Sequence, residues 1–157
     1  MINIKKTSIV IFLFLQSCME PDTEKLWDIS IENIFETKGF ARSVIVEGSR
    51  AYVAAGQSGT QIWDLEENTL LKDFTGYEEG GTFLEFQDLA LIGRDPVNSL
   101  LFLSESNQDV KIFHLDETDS LIYRNTIMSA RTKDFVSFPS IQDQFVMYSA
   151  DNDDGLK

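Results

Sequence analysis

From about residue 40 onward the chain alternates short apolar runs of Val, Ile, Phe, Tyr and Leu with clusters of Gly, Asn, Asp and Ser. Branched and aromatic residues in short runs, punctuated by turn formers, are the pattern of half-buried β-strands. The spacing predicts a first set of strands at 42–46, 51–55, 61–65 and 70–74. A second set follows at 88–92, 101–105, 111–115 and 121–125, and a third begins at 133–138 and 145–150. No amphipathic helix of normal length interrupts them. Upstream, Leu26, Trp27, Ile29, Ile31, Ile34 and Phe35 fit neither a helical nor a strand period, so this stretch reads as a first strand or a lead-in.

The strand sets resemble one another. Ala51-Tyr52-Val53-Ala54-Ala55, a turn through Gly59, and Gln61-Ile62-Trp63-Asp64-Leu65 return as Leu101-Phe102-Leu103-Ser104-Glu105, a polar turn, and Lys111-Ile112-Phe113-His114-Leu115. A third copy has Phe145-Val146-Met147-Tyr148-Ser149-Ala150, then Asp151-Asn152-Asp153-Asp154-Gly155, then Leu156-Lys157. Four antiparallel strands in about 45 to 50 residues is the size of one propeller blade. The expected fold is therefore all-β, a partial β-propeller of four-stranded antiparallel blades with two complete and the third incomplete. The units fall at about 38–80, 81–129 and 130–157. The alternative is a β-sandwich of about ten strands. Two and a half blades imply a truncated fragment of a longer propeller, because a blade is covered only by neighbours on both faces.

The segment Val44-Ile45-Val46-Glu47-Gly48-Ser49-Arg50-Ala51-Tyr52-Val53-Ala54-Ala55, followed by Gly59-Thr60-Gln61-Ile62-Trp63-Asp64-Leu65, resembles the LVIVD repeat of bacterial surface and exported β-propellers. The match is good over 41–75, looser over 86–128 and partial over 133–157. His114 stands where the repeat has its turn-forming aspartate. Trp63-Asp64 is similar to the WD-repeat dipeptide, but no Gly-His pair opens the unit, so that family fits less well.

The first eighteen residues have a different design. Lys5 and Lys6 precede the apolar run Ile9 to Leu15, and Gln16-Ser17-Cys18 follow. This is the layout of a secretory signal. The run is too short to cross a bilayer core, which needs about 20 apolar residues as a helix. Leu15-Gln16-Ser17-Cys18 resembles the bacterial lipobox, with Gln16 departing from the usual small or branched residue. By that resemblance residues 1–17 are a lipoprotein signal peptide, cleavage falls between Ser17 and Cys18, and Cys18 takes the lipid. Residues 18–37 then form the lipidated cysteine and a polar tether or lead-in. Two or more acyl chains give stable anchoring, whereas one gives only marginal binding. Met19 is not the aspartate associated with inner-membrane retention, which favours a bacterial envelope location at the outer membrane.

Composition narrows the partners. The whole chain has a formal charge of −13. Residues 1–17 contribute two of the 13 basic residues and no acid, so the remainder sets eleven against all 26 acidic ones. Such a surface repels nucleic acid, whose binding depends on Lys and Arg neutralising phosphate. Cys18 is the only cysteine, so no intramolecular disulfide forms and stability rests on packing.

Little in the sequence specifies chemistry. His114 is the single histidine and the only imidazole base for an acyl-transfer triad, and its place inside a strand pattern favours a structural role. There is no Gly-x-Ser-x-Gly elbow, phosphate loop, zinc pattern or dinucleotide fingerprint, and no cofactor is implied. Asn152 and Asp154 sit at calcium-loop positions relative to Gly155, but Ala150 replaces the first ligand, so a solvated turn is the better reading. Glu78-Glu79-Gly80-Gly81 reads as a flexible connector. The expected function is an exported, membrane-anchored lipoprotein with a binding or scaffold domain for protein or glycan partners. Uncovered blade edges add a tendency to self-association. The alternative is a fragment of a propeller enzyme, a hydrolase or lyase, whose catalytic residues lie outside this chain.

Overall fold

The computed structural model describes residues 31, 33–128, 131–139, 144–152 and 155–156. Residues 35–157 form one compact unit, and the architecture below belongs to it. Among the described residues every regular element is a strand, and every pairing is antiparallel.

The first sheet is a meander of β1 (Ser43–Glu47), β2 (Arg50–Ala54), β3 (Thr60–Asp64) and β4 (Thr69–Phe74), in that spatial order. A hairpin of β5 (Gly76–Glu79) and β6 (Thr82–Glu85) follows. The second sheet repeats the meander with β7 (Leu89–Asp95), β8 (Leu100–Glu105), β9 (Val110–Leu115) and β10 (Leu121–Ile127). The third contains β11 (Thr132–Pro139), β12 (Phe145–Asp151) and the short β13 (Gly155–Leu156).

Turn chemistry explains why the chain reverses where it does. Gly48 at φ +58° leads the two-residue turn between Glu47 and Arg50, the position where a hairpin of this kind requires glycine. Three other reversals use an aspartate as a cap. Asp64 Oδ1 accepts the amides of Glu66 and Glu67, both at 2.9 Å, with Asn68 left-handed at φ +55°. Asp95 Oδ1 accepts those of Val97 (3.0 Å) and Asn98 (3.3 Å), with Ser99 at φ +53°. Asp116 Oδ1 accepts those of Thr118 and Ser120, both at 2.8 Å, with Asp119 at φ +58°. The carboxylate satisfies amides that the strands leave unpaired. The loss of aspartate at His114 thus does not leave the second copy without a turn residue, because Asp116 supplies one two positions later.

The sheets stack through their faces. Ile45, Tyr52, Ala54 and Ile62 of the first meet Ile92, Leu101, Leu103, Phe113 and Leu115 of the second in one core. The opposite face of the second sheet, Phe102, Val110 and Ile112, packs against Phe135 and Met147 of the third. Leu101, Phe102 and Leu103 are therefore consecutive in sequence and all fully buried, facing different neighbours. Strand alternation puts successive side chains on opposite faces, so continuous burial means that the second sheet is covered on both sides. Strand β7 lies beside β1 and β2 on one side and β11 on the other. The sheets are thus stacked in series, the second covered by the first on one face and by the third on the other, rather than in the two facing layers of a sandwich.

One close approach sets the distance between the second and third sheets. A Cβ on Gly93 would run into the ring of Phe135, so the bare glycine is the seat of that ring. The outer face of the third sheet carries Val136, Phe138, Val146 and Tyr148, each about half exposed.

The segment read as a connector is the turn of the β5–β6 hairpin. Gly80 and Gly81, at φ +58° and +82°, make the reversal. Tyr77 gives the hairpin its reason to form, for its ring is buried with centroids 5.6 Å from Phe86, 5.2 Å from Phe113 and 5.4 Å from Tyr123. Aromatic pairs at these distances add about 0.5–1.5 kcal/mol each beyond area burial.

Candidate functional site

At one end of the first two sheets, three stretches of chain meet: the lead-in at 39–42, the β2–β3 turn at 55–59, and the link at 86–88. Together they line a cleft of about 320 Å³ bordered by Gly39, Phe40, Arg42, Gly56, Ser58 and Asp88.

Backbone bonds hold these stretches in place. The Arg42 amide donates to Ala54 O at 2.8 Å, continuing the β1–β2 ladder by one residue. Gly56 and Leu89 exchange two amide–carbonyl bonds of 3.0 Å each, which tie the turn of the first sheet to the first strand of the second. Within the turn, Ala55 N donates to Gly59 O (2.8 Å) and Ser58 N to Ala55 O (3.2 Å).

The polar groups of the cleft are arranged around Asp88. Its Oδ1 pairs with Arg42 Nη2 at 2.8 Å, and its Oδ2 accepts Ser106 Oγ at 2.7 Å. The Ser106 amide donates back to Asp88 O at 3.0 Å. Both partners of the ion pair are partly exposed, so its net contribution to stability is about 0–1 kcal/mol and its main effect is orientation.

Behind Asp88 stands a buried anchor. Glu105 Oε1 accepts the amides of Gln87 and Asp88, and its Oε2 pairs with Lys111 Nζ at 3.3 Å, with both side chains largely buried. Lys111 Nζ also lies 6.0 Å from the centre of the Tyr77 ring. Burial, aided by the negative charge of Glu79, pushes the Tyr77 hydroxyl up to about 12.

The residues singled out from sequence fall elsewhere. His114 lies on β9 opposite Leu100 and Ile122, and its Nδ1 is buried without a hydrogen-bond partner. Among the described residues no carboxylate accepts from that nitrogen, as the orienting acid of a triad would. The Asn152 amide donates to Arg131 O at 3.2 Å in the β12–β13 turn, while Asp154 lies outside the described residues. Among the described residues no group of three His, Cys, Asp or Glu side chains could hold a metal ion. Ser17 and Cys18 also lie outside the described residues. Among those described, no helix is long and apolar enough to cross a membrane.

Arg42 and Asp88 read as ordinary strand starts in the sequence, and nothing local marks them as partners. The available signal was the glycine pattern, with Gly39, Gly56 and Gly59 at φ +122°, +62° and +78° bending the backbone around one spot.

No family model matches the chain. Over 100 residues, 64% of its length, it is 23% identical to a probable malate:quinone oxidoreductase of Xylella fastidiosa. It spans about a sixth of that protein, 17% of its length. The class defined by the fold is an all-β array of small antiparallel sheets, and a partial likeness of this extent adds no activity to it.

Proposed function

We propose that this chain is an exported bacterial lipoprotein, anchored through lipid on Cys18, whose blade array is a binding or scaffold module for protein or glycan partners at the envelope. The observation that carries the reading is the order of residues 1–18: two lysines, an apolar run too short to span, and Leu15-Gln16-Ser17-Cys18. The cleft at the loop end of the sheets supports a binding role, since short loops on a rigid β-scaffold are where recognition residues gather. The negative charge of the domain accords with partners other than nucleic acid or anionic lipid surfaces. The half-exposed apolar face of the third sheet would add self-association.

The test is phase partitioning of the full chain expressed in a bacterium with an outer membrane, together with mass spectrometry of its N-terminal peptide. The expected result is a diacylglyceryl-modified Cys18 at a new N-terminus and recovery in the detergent phase, with Cys18→Ala moving to the aqueous phase. A Cys18→Ala chain that still partitions with membranes overturns the anchor.

A further inference from the structure

The cleft around Arg42 and Asp88 has a chemistry more specific than a general binding surface. Its two charged side chains are of opposite sign and 2.8 Å apart, so the site as a whole is neutral. An anionic ligand would meet the Asp88 carboxylate beside Arg42 and a protein of formal charge −13. A cation would have to do the reverse, and Asp88 already has both oxygens occupied, by Arg42 and by the Ser106 hydroxyl. What remains available is a mixed set of hydrogen-bonding groups: further N–H groups of the Arg42 guanidinium, whose charge Asp88 balances, the Ser58 hydroxyl and the exposed Gln57 amide. Such a set matches a ligand that donates and accepts through hydroxyl groups.

Two features of shape point the same way. Phe40 is 86% exposed at the border of the cleft, an aromatic ring with a free face beside polar groups. The C–H side of a sugar ring is apolar with weakly positive hydrogens, which suits the negative face of a phenyl ring. Gly56 is buried beneath this cluster: a Cβ there would stand 3.7 Å, ordinary van der Waals contact, from Arg42 Nε, Asp88 Oδ1 and the Phe40 carbonyl oxygen, so the three groups converge over the β2–β3 turn. The volume of about 320 Å³ lies at the small end of the roughly 300–1,000 Å³ typical of small-molecule sites.

We propose that this cleft binds a neutral pyranose unit of a glycan, stacked on Phe40 and hydrogen-bonded by Arg42 and Ser58, with Asp88 orienting the guanidinium. The inference rests on the reading of this domain as a binding module and names the ligand class of that module.

The experiment is saturation-transfer NMR on the full chain in lauryldimethylamine oxide micelles. The probes are triacetylchitotriose, cellotriose and maltotriose, with glucose 6-phosphate as the anionic comparison. The expected result is transfer to the ring C–H protons of at least one neutral trisaccharide at millimolar concentration. Phe40→Ala and Arg42→Gln should each weaken that binding by about tenfold or more. Phe40 is almost wholly exposed, so the melting temperature of Phe40→Ala should match that of the parent and a folding defect is separable from a binding defect. Transfer to none of the three trisaccharides, tighter binding of glucose 6-phosphate, or affinity unchanged in both variants overturns the proposal. Membrane partition dependent on Cys18, with no sugar binding, removes the glycan and leaves the anchored module standing. Sugar binding with partition independent of Cys18 does the opposite.

Discussion

Phe102 is the most informative residue at which to test whether the second and third sheets are stacked blades. It is fully buried on the face of β8 that looks toward the third sheet, opposite Gly93 on β7 and Ile112 on β9. Its ring centroid is 5.2 Å from that of Phe145 and 6.5 Å from that of Phe135. Truncating it to alanine removes a fully buried aromatic, about 1.5–3 kcal/mol of transfer free energy, and leaves a cavity whose lining loses its contacts. Phe→Ala changes of this kind cost about 3–5 kcal/mol in total. For a domain of this size that lowers Tm by about 10–20 °C and consumes a large part of a typical stability of about 5–15 kcal/mol. The assay is guanidinium unfolding of Phe102→Ala beside Val44→Ala, whose side chain is exposed on β1 and should change stability by no more than about 0.5 kcal/mol. Hydrogen exchange adds a spatial readout, for amides of β11 and β12 should lose protection before those of β2 and β3. A loss below about 1 kcal/mol, or protection lost equally in all three sheets, would refute the stacking of the third sheet on this face.

Gly93→Ala places a methyl group where the Phe135 ring sits, and should destabilise the fold by about 1–3 kcal/mol, with Gly80→Ala, which meets open space, as a comparison for backbone strain alone. Asp116 is held below the ordinary carboxylate range by the Ser120 amide and the Thr118 hydroxyl. Its stabilising effect is therefore present above the unfolded value and lost as pH falls through the folded one, so the drop in Tm on acidification below about pH 4 should be smaller in Asp116→Asn than in the parent. Tyr77 has the opposite sign, since its neutral form is favoured by folding. In ultraviolet titration it should ionise near 12 while the chain stays folded, and its contribution to stability should vanish as pH rises from about 10 through that value. A Tyr77→Phe chain with an unchanged alkaline titration curve would contradict that assignment. Glu105→Ala leaves Lys111 buried without its carboxylate and frees the amides of Gln87 and Asp88. Its cost should be about 3–5 kcal/mol, read by urea unfolding, and the loss should be much smaller in the Glu105→Ala, Lys111→Met double variant.

Most of what was legible in the sequence is local. The strands at 42–46, 51–55, 101–105 and 145–150 follow from short runs of branched, aromatic and other apolar residues set between clusters of the turn formers Gly, Asn, Asp and Ser. The recurrence of the four-strand unit followed from self-comparison, because one supersecondary unit repeated needs the same residues at the same spacing. Tertiary packing decided what depends on surfaces meeting across the chain. The run around Glu78-Glu79-Gly80-Gly81 is short and polar, and it becomes a hairpin because Tyr77 finds Phe86, Phe113 and Tyr123 to pack against. The seat of Phe135 on Gly93 and the pairing of Arg42 with Asp88 have no local signature, since each joins residues more than forty positions apart in the chain. Alternation says that a strand has two faces, and only the stacked sheets determine which face meets a neighbour and which polar groups are brought to the same cleft.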